Sequence, residues 1–254
     1  MKKYSLFSLI IVFGLFNNSY AQGDKAKVTV PAALAAQGGP LGQPAQLSQE
    51  REAKPEVWNK NGYQLTVINQ DAAFDPKLKA KMIQTFFEVY PKLSKEYNQK
   101  TAKAVTFVID TAYKGVAAAS ANQIVFSSAY MTTHPTDIDV VTHEAMHVVQ
   151  DYGNSVGPGW LTEGIADFAR FKYGVDNPGA KWSLPAFNAG QSYENSYRIA
   201  ARFLVWAEKS SKTGLVKALS TQLTDRSYTD QSWKKLTGKT LEELWKAYAL
   251  NPSI

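Results

Sequence analysis

Apolar and polar positions alternate through YQLTVIN (residues 63–69), which predicts a strand with one buried face. AVTFVID (residues 104–110) is dense in β-branched residues and predicts a second strand. QIVFSSAYM (residues 123–131) alternates Ile124, Phe126, Ser128 and Tyr130 and predicts a third. Leu78, Met82, Phe86 and Val89 recur at helical spacing and predict a helix over residues 77–90. From Thr136 onward the patterning is mostly helical. A small mixed sheet followed by a helical half predicts an α+β fold, and no internal repeat is present.

The first helix of that half carries Ile138, Val141, Ala145, Val148 and Tyr152 as one apolar stripe. Thr136 and Asp139 match a capping box, T-x-x-D, and Gly153 suits a left-handed stop. His143 and His147 lie roughly opposite the stripe, one turn apart on a shared face, so both imidazoles can converge on one metal ion. With Glu144 they spell H-E-x-x-H, a zinc-site signature. Glu144 points about 100° around the helix. It therefore reaches a water beside the metal rather than the metal itself. The third histidine, His134, stands before the cap and next to Pro135, and no histidine follows His147.

A catalytic zinc has three protein ligands and an open position, so a carboxylate is needed. WLTEGIADFAR (residues 160–170) supplies it on a second helix. Leu161, Ile165 and Phe168 form its apolar stripe, while Glu163, Asp167 and Arg170 share the other side. The intervening GNSVGPG allows an antiparallel return, and Gly164 is expected to permit close approach to the first helix. Glu163 is the candidate third ligand. Asp167, one turn on, is placed to accept a hydrogen bond from a ligand histidine's other nitrogen.

HEAMHVVQ, GWLTEGIADFARFKYG and QSYENSYRIAARFLVW resemble the basic secretory protein family, secreted plant and bacterial proteins classed as zinc metallopeptidases of the gluzincin type. KGVAAASANQIVFSSAYM and LTGKTLEELWKAY are similar to the family's stretches before the H-E-x-x-H helix and at its C-terminal end. The resemblance covers residues 63–248. It implies a zincin-like, thermolysin-like fold with one Zn2+ on His143, His147 and Glu163, Glu144 as base and Asp167 as the supporting carboxylate. Met146 stands where the family has threonine.

The reaction expected is hydrolysis of a peptide bond by a zinc-bound water that Glu144 deprotonates. Tyr193 and Tyr197, four residues apart, are candidates for donating to the oxyanion, and the family resemblance favours Tyr197. A peptide or protein substrate is expected to add as a strand along residues 123–131, unless that strand is interior. Trp182 and Phe187 are candidates to line the cleft. Ile199, Phe203 and Trp206, and likewise Leu215, Leu219 and Leu223, read as core. Thr240 and Glu243 read as a capping box.

Composition adds the compartment. Lys2 and Lys3, an apolar run and small residues at Ser19 and Ala21 read as a secretory signal over residues 1–21, so the protein is expected to be secreted, periplasmic or extracellular. Residues 22–57, rich in Ala, Gln, Gly and Pro, read as a flexible leader or a short propeptide, and residues 58–254 as the metallopeptidase domain. No cysteine is present, so stability rests on packing and any bound metal. Removal of the signal leaves 26 Lys and Arg against 22 acidic residues, scattered without a basic run, which excludes a nucleic-acid footprint. No second apolar stretch suits a membrane anchor. Two other readings compete: an exopeptidase of the same fold, for which no G-x-M-E-N motif is found, and a zinc-stabilised binding protein without activity.

Overall fold

The computed structural model describes residues 54–153 and 157–254. The signal and most of the leader lie outside the described residues. The first strand, β1 (Glu56–Lys60), pairs antiparallel with β2 (Tyr63–Asn69) across the turn Asn61–Gly62, both at positive φ. β1 has one half-buried face and starts two residues ahead of the expected domain boundary.

Helix α1 (Pro76–Tyr97) crosses from β2 to the parallel strand β3 (Ala104–Asp110). Its start is set by Asp75, whose carboxylate accepts from the Lys77 N–H, and by Pro76 at the first helical position. The expected stripe is buried, but the helix runs seven residues past its predicted end. Pro91 removes one helical hydrogen bond, yet burial of Leu93 and Tyr97 carries the helix onward. Phe86 meets Phe107 edge-on, and Phe107 meets Phe126, tying α1 to the centre of the sheet.

A short strand, β4 (Ala117–Ser120), forms a hairpin with β5 (Gln123–Ser127), giving the strand order β1-β2-β3-β5-β4. Two expectations for residues 123–131 are thereby corrected. The strand ends at Ser127, because the Ser127 hydroxyl accepts from the Tyr130 N–H and caps helix α2 (Ser128–Thr133). β5 is also interior, between β3 and β4, so it cannot receive an added strand. The edge is β4.

Helix α3 (Val140–Gln150) carries H-E-x-x-H and is buried on nearly every side. The expected capping box is not formed. Asp139 is fully buried, and its carboxylate accepts instead from the Thr142 hydroxyl and from the N–H groups of Val175 and Asp176. The left-handed residue ending α3 is Asp151, two positions before Gly153. Helix α4 (Gly159–Tyr173) follows. Gly164 does not face α3. A Cβ there would lie 2.8 Å from the Ala200 Cβ, on helix α5 (Tyr197–Ser210).

Helices α6 (Leu215–Thr224), α7 (Ser232–Thr237) and α8 (Leu241–Leu250) complete the core around Phe203, Trp233 and Tyr248. The Thr240–Glu243 capping box forms with both of its hydrogen bonds. Phe203, Trp206, Leu215, Leu219 and Leu223 are buried as expected. No helix of the described residues is long and apolar enough to cross a membrane.

Candidate metal centre

The i, i+4 spacing on α3 brings His143 and His147 edge to face, with Nε2 atoms 3.1 Å apart. Helix α4 returns alongside and sets Glu163 Oε2 3.3 Å from His143 Nε2 and 3.4 Å from His147 Nε2. A tetrahedral zinc with ligand bonds of about 2.0–2.1 Å holds its ligand atoms about 3.3 Å apart. The three observed separations match that edge length, so the residues fit the ion.

The outer nitrogens are also fixed. His143 Nδ1 donates to Asp167 Oδ1 at 2.7 Å, on the turn of α4 after Glu163. His147 Nδ1 lies 2.6 Å from Gln150 Oε1. The Gln150 amide nitrogen donates to the Thr162 carbonyl at 2.9 Å, which turns its oxygen to the ring and makes Nδ1 the donor. Both Nε2 atoms of the neutral imidazoles therefore carry lone pairs. With both rings neutral, three lone-pair atoms would converge without a donor, an arrangement that calls for a cation, either a metal ion or a proton.

The electrostatics of these groups point the same way. Burial pushes His143 down, but hydrogen bonds with Asp167 and Glu163 outweigh it and raise its pKa to about 10. Burial pushes Glu163 up, but His143 and His147 outweigh it and hold the carboxyl down at about 2. Both shifts favour one positive charge within the group.

Glu144 stands beside this group at 7% exposure, and its Oε2 has no hydrogen-bond partner. Burial raises its pKa, opposed by the pull of His143 and His147, while the Ala119 backbone N–H on β4 favours the charged form. Ser127 N–H donates to Val116 O, so Val116, Ala118 and Ser120 face β5, while Ala117 and Ala119 turn their backbone groups outward. The free edge of β4 thus borders a cleft of about 1310 Å³ that holds His143, Glu144, His147 and Glu163.

The two tyrosine candidates part company. Tyr193 sits in a 3-10 turn (Tyr193–Asn195), separated from α5 by Ser196 at φ 61°, so the two do not share one helical face. Its ring packs against Trp160 and Trp245. Tyr197 opens α5, lines the cleft and stacks over His143 with ring centroids 6.2 Å apart and planes 18° from parallel. The nearby Glu163 charge is the main cause raising its pKa, which keeps the phenol protonated.

Trp182 lines the cleft, beneath the Arg170 guanidinium. Phe187 does not; it packs on Tyr248 and Trp245. His134 is exposed and stacks on Tyr130. Gln150 belongs to no sequence motif. Its only signal is a polar side chain three residues after His147, the spacing that puts it within reach of that ring.

Among solved structures, a mutant M1 zinc metallopeptidase from Deinococcus radiodurans matches with 10% identity, 79% of this chain and 53% of that chain, at a TM-score of 0.44. An aminopeptidase N family protein from Idiomarina loihiensis matches with 12% identity over 76% of this chain and 46% of that one, at a TM-score of 0.46. The chain therefore spans about half the length of these structures. No curated protein matches. Residues 51–248 match the family model described as peptidase of plants and bacteria, and the chain belongs to that family.

Proposed function

We propose that this chain is a secreted, zinc-dependent metallopeptidase of zincin-like architecture. The observation that carries this reading is the convergence of His143 Nε2, His147 Nε2 and Glu163 Oε2 at tetrahedral spacing, beside a buried Glu144 carboxylate with an unbonded oxygen. His143, His147 and Glu163 would hold one Zn2+. A zinc ion there supplies a Lewis acid that polarises the scissile carbonyl and acidifies water.

The remaining work falls to the chain's own residues. Glu144 takes the proton of the attacking water and passes it to the leaving amine. Its buried carboxylate, with Oε2 unbonded, leaves an oxygen that can hold that proton between the two steps. Tyr197, protonated and partly exposed over His143, donates to the oxygen that gains charge. Asp167 and Gln150 hold the two imidazoles in the tautomer that turns Nε2 inward. The substrate backbone pairs with the outward groups of β4 that Tyr113 and Glu144 do not already take, the Ala117 N–H and the Ala119 carbonyl.

A closed structural zinc site uses four protein ligands, and among the described residues the group has three. That favours catalysis over a purely stabilising metal. The cleft carboxylates Glu163, Asp167 and Asp137 are all engaged, by His143 and His147, by His143, and by Tyr130 and Arg170. Asp151, at the far end of α3, also lines the cleft and is unpaired among the described residues, so comparing cleavage of blocked and free peptides decides between endopeptidase and exopeptidase. Secretion rests on the signal read in residues 1–21. The test of the whole reading is hydrolysis of blocked peptides by the purified protein, lost on chelation and restored by zinc. Hydrolysis that survives full removal of metal contradicts it.

A further inference from the structure

Backbone strain is concentrated on the cleft wall beside Tyr197. Lys181 has φ 52°, and Ser196 and Tyr197 are consecutive residues at φ 61° and 46°. None is glycine, so each adopts a conformation that side chains disfavour, and such outliers persist where surrounding contacts impose them.

Those contacts are visible on the Lys181 side. Asp139 binds the N–H groups of Val175 and Asp176. Asn177 accepts from Arg170 Nε at 3.1 Å and donates to the Arg170 carbonyl at 2.9 Å. Lys181 N–H donates to Pro178 O and Trp182 N–H to Asn177 O, each at 2.9 Å. The Arg170 guanidinium covers Trp182 at 4.5 Å. The segment carrying Lys181 is thus pinned to α4 and to the start of α3, the two helices that hold the metal group. Arg198 follows Tyr197 directly, and its guanidinium reaches the same segment at Ser183 O, 3.5 Å away.

Lys181 and Arg198 both line the cleft, and both are exposed. Among the described residues neither takes part in an ion pair. Arg170, the other cation of the cleft, is buried and neutralised by Asp137. Apart from Glu144, the unpaired carboxylate of the cleft among the described residues is Asp151, which caps the far end of α3. The cleft is therefore electrically polar, with two uncommitted cations on a rigid wall beside Tyr197.

We propose that Lys181 and Arg198 form a subsite for a carboxylate side chain of the peptide, so that the enzyme selects substrates with Asp or Glu close to the bond that is cut. This rests on the peptidase reading above and names its substrate class. Arg198 would engage the carboxylate with two donors and Lys181 as a point charge. A Gln side chain loses the charge, and a Lys side chain is repelled.

The experiment uses labelled peptides identical except for Glu, Gln or Lys, with that residue moved along the chain. Binding is measured by fluorescence anisotropy on zinc-loaded Glu144→Gln protein, with and without Lys181→Glu and Arg198→Glu. At one position the Glu peptide should bind about fivefold to tenfold tighter than the Gln peptide. In the charge-reversed protein the order should invert, with zinc content unchanged. Equal binding of the three peptides, or a Glu advantage that survives charge reversal, overturns the subsite. Hydrolysis of the same peptides by wild type separates the two readings. Cleavage without a Glu advantage removes the subsite and leaves the peptidase. A Glu advantage in binding without cleavage removes the peptidase and leaves the subsite.

Discussion

Gln150 Oε1 lies 2.6 Å from His147 Nδ1, and Asp167 Oδ1 lies 2.7 Å from His143 Nδ1. The two candidate ligand histidines are oriented by unlike partners, a neutral amide on the same helix and a carboxylate from the next. Removal of either partner frees its ring to rotate. Gln150→Ala and Asp167→Ala should each weaken zinc binding by about 10–100-fold. Competition with a chromophoric chelator measures this, and an unchanged affinity would remove the orienting role.

Glu163→Ala deletes the carboxylate that comes from α4. With two imidazoles left, metal content after dialysis should fall well below one ion per chain, by elemental analysis. Full occupancy would show that Glu163 is not a ligand.

The pH dependence of stability should differ between metal-free and zinc-loaded protein. In the metal-free fold His143 is raised from 6.5 to about 10. A raised pKa stabilises fully below the unfolded value, and that stability is lost as pH rises through the folded value. The metal-free protein should therefore lose thermal stability between pH 6.5 and about 10. Zinc displaces that proton, so the loaded protein should not show this loss, and binding near pH 7 should release about one proton. Thermal melts and calorimetry in buffers of different ionisation enthalpy check both halves.

Much of this site was legible because its signals are local. The histidines at i and i+4, the stripe from Ile138 to Tyr152, and Glu163 with Asp167 one turn apart all follow from helical periodicity. Features set by distant partners were not legible. Thr136 and Asp139 match a capping box, but Asp139 is claimed by Val175 and Asp176, over thirty residues away. Residues 123–131 alternate like a strand, yet Ser127 caps a helix, and nothing in their pattern tells an interior strand from an edge. Gly164 reads as a close approach to α3, yet the helix it meets is α5, and nothing local in its sequence distinguishes the two.

That glycine yields a stability prediction. Gly164→Ala would put a methyl 2.8 Å from the Ala200 Cβ, inside van der Waals contact and against a helix rather than a mobile side chain. The cost should be about 1–3 kcal/mol. Melting should fall by several degrees with zinc affinity little changed, because the strain lies on the α5 side of α4. An unchanged melting temperature would mean that α4 and α5 are not packed this closely.

Tyr197→Phe keeps the ring over His143 and removes only the hydroxyl. kcat should fall by about 10²-fold while zinc content holds, as for loss of one oxyanion donor. The matching Tyr193→Phe change, within the Trp160 and Trp245 cluster, should leave kcat near wild type. Equal effects of the two would deny Tyr197 its assigned role.

The most direct measurement pairs zinc stoichiometry with peptide hydrolysis for Glu144→Gln. The amide keeps the size of the buried side chain and removes its ability to take a proton. One zinc per chain should be retained, and hydrolysis should fall by about 10²–10⁴-fold. A folded Glu144→Gln protein with full zinc and turnover close to wild type would contradict the assignment of Glu144 as the base.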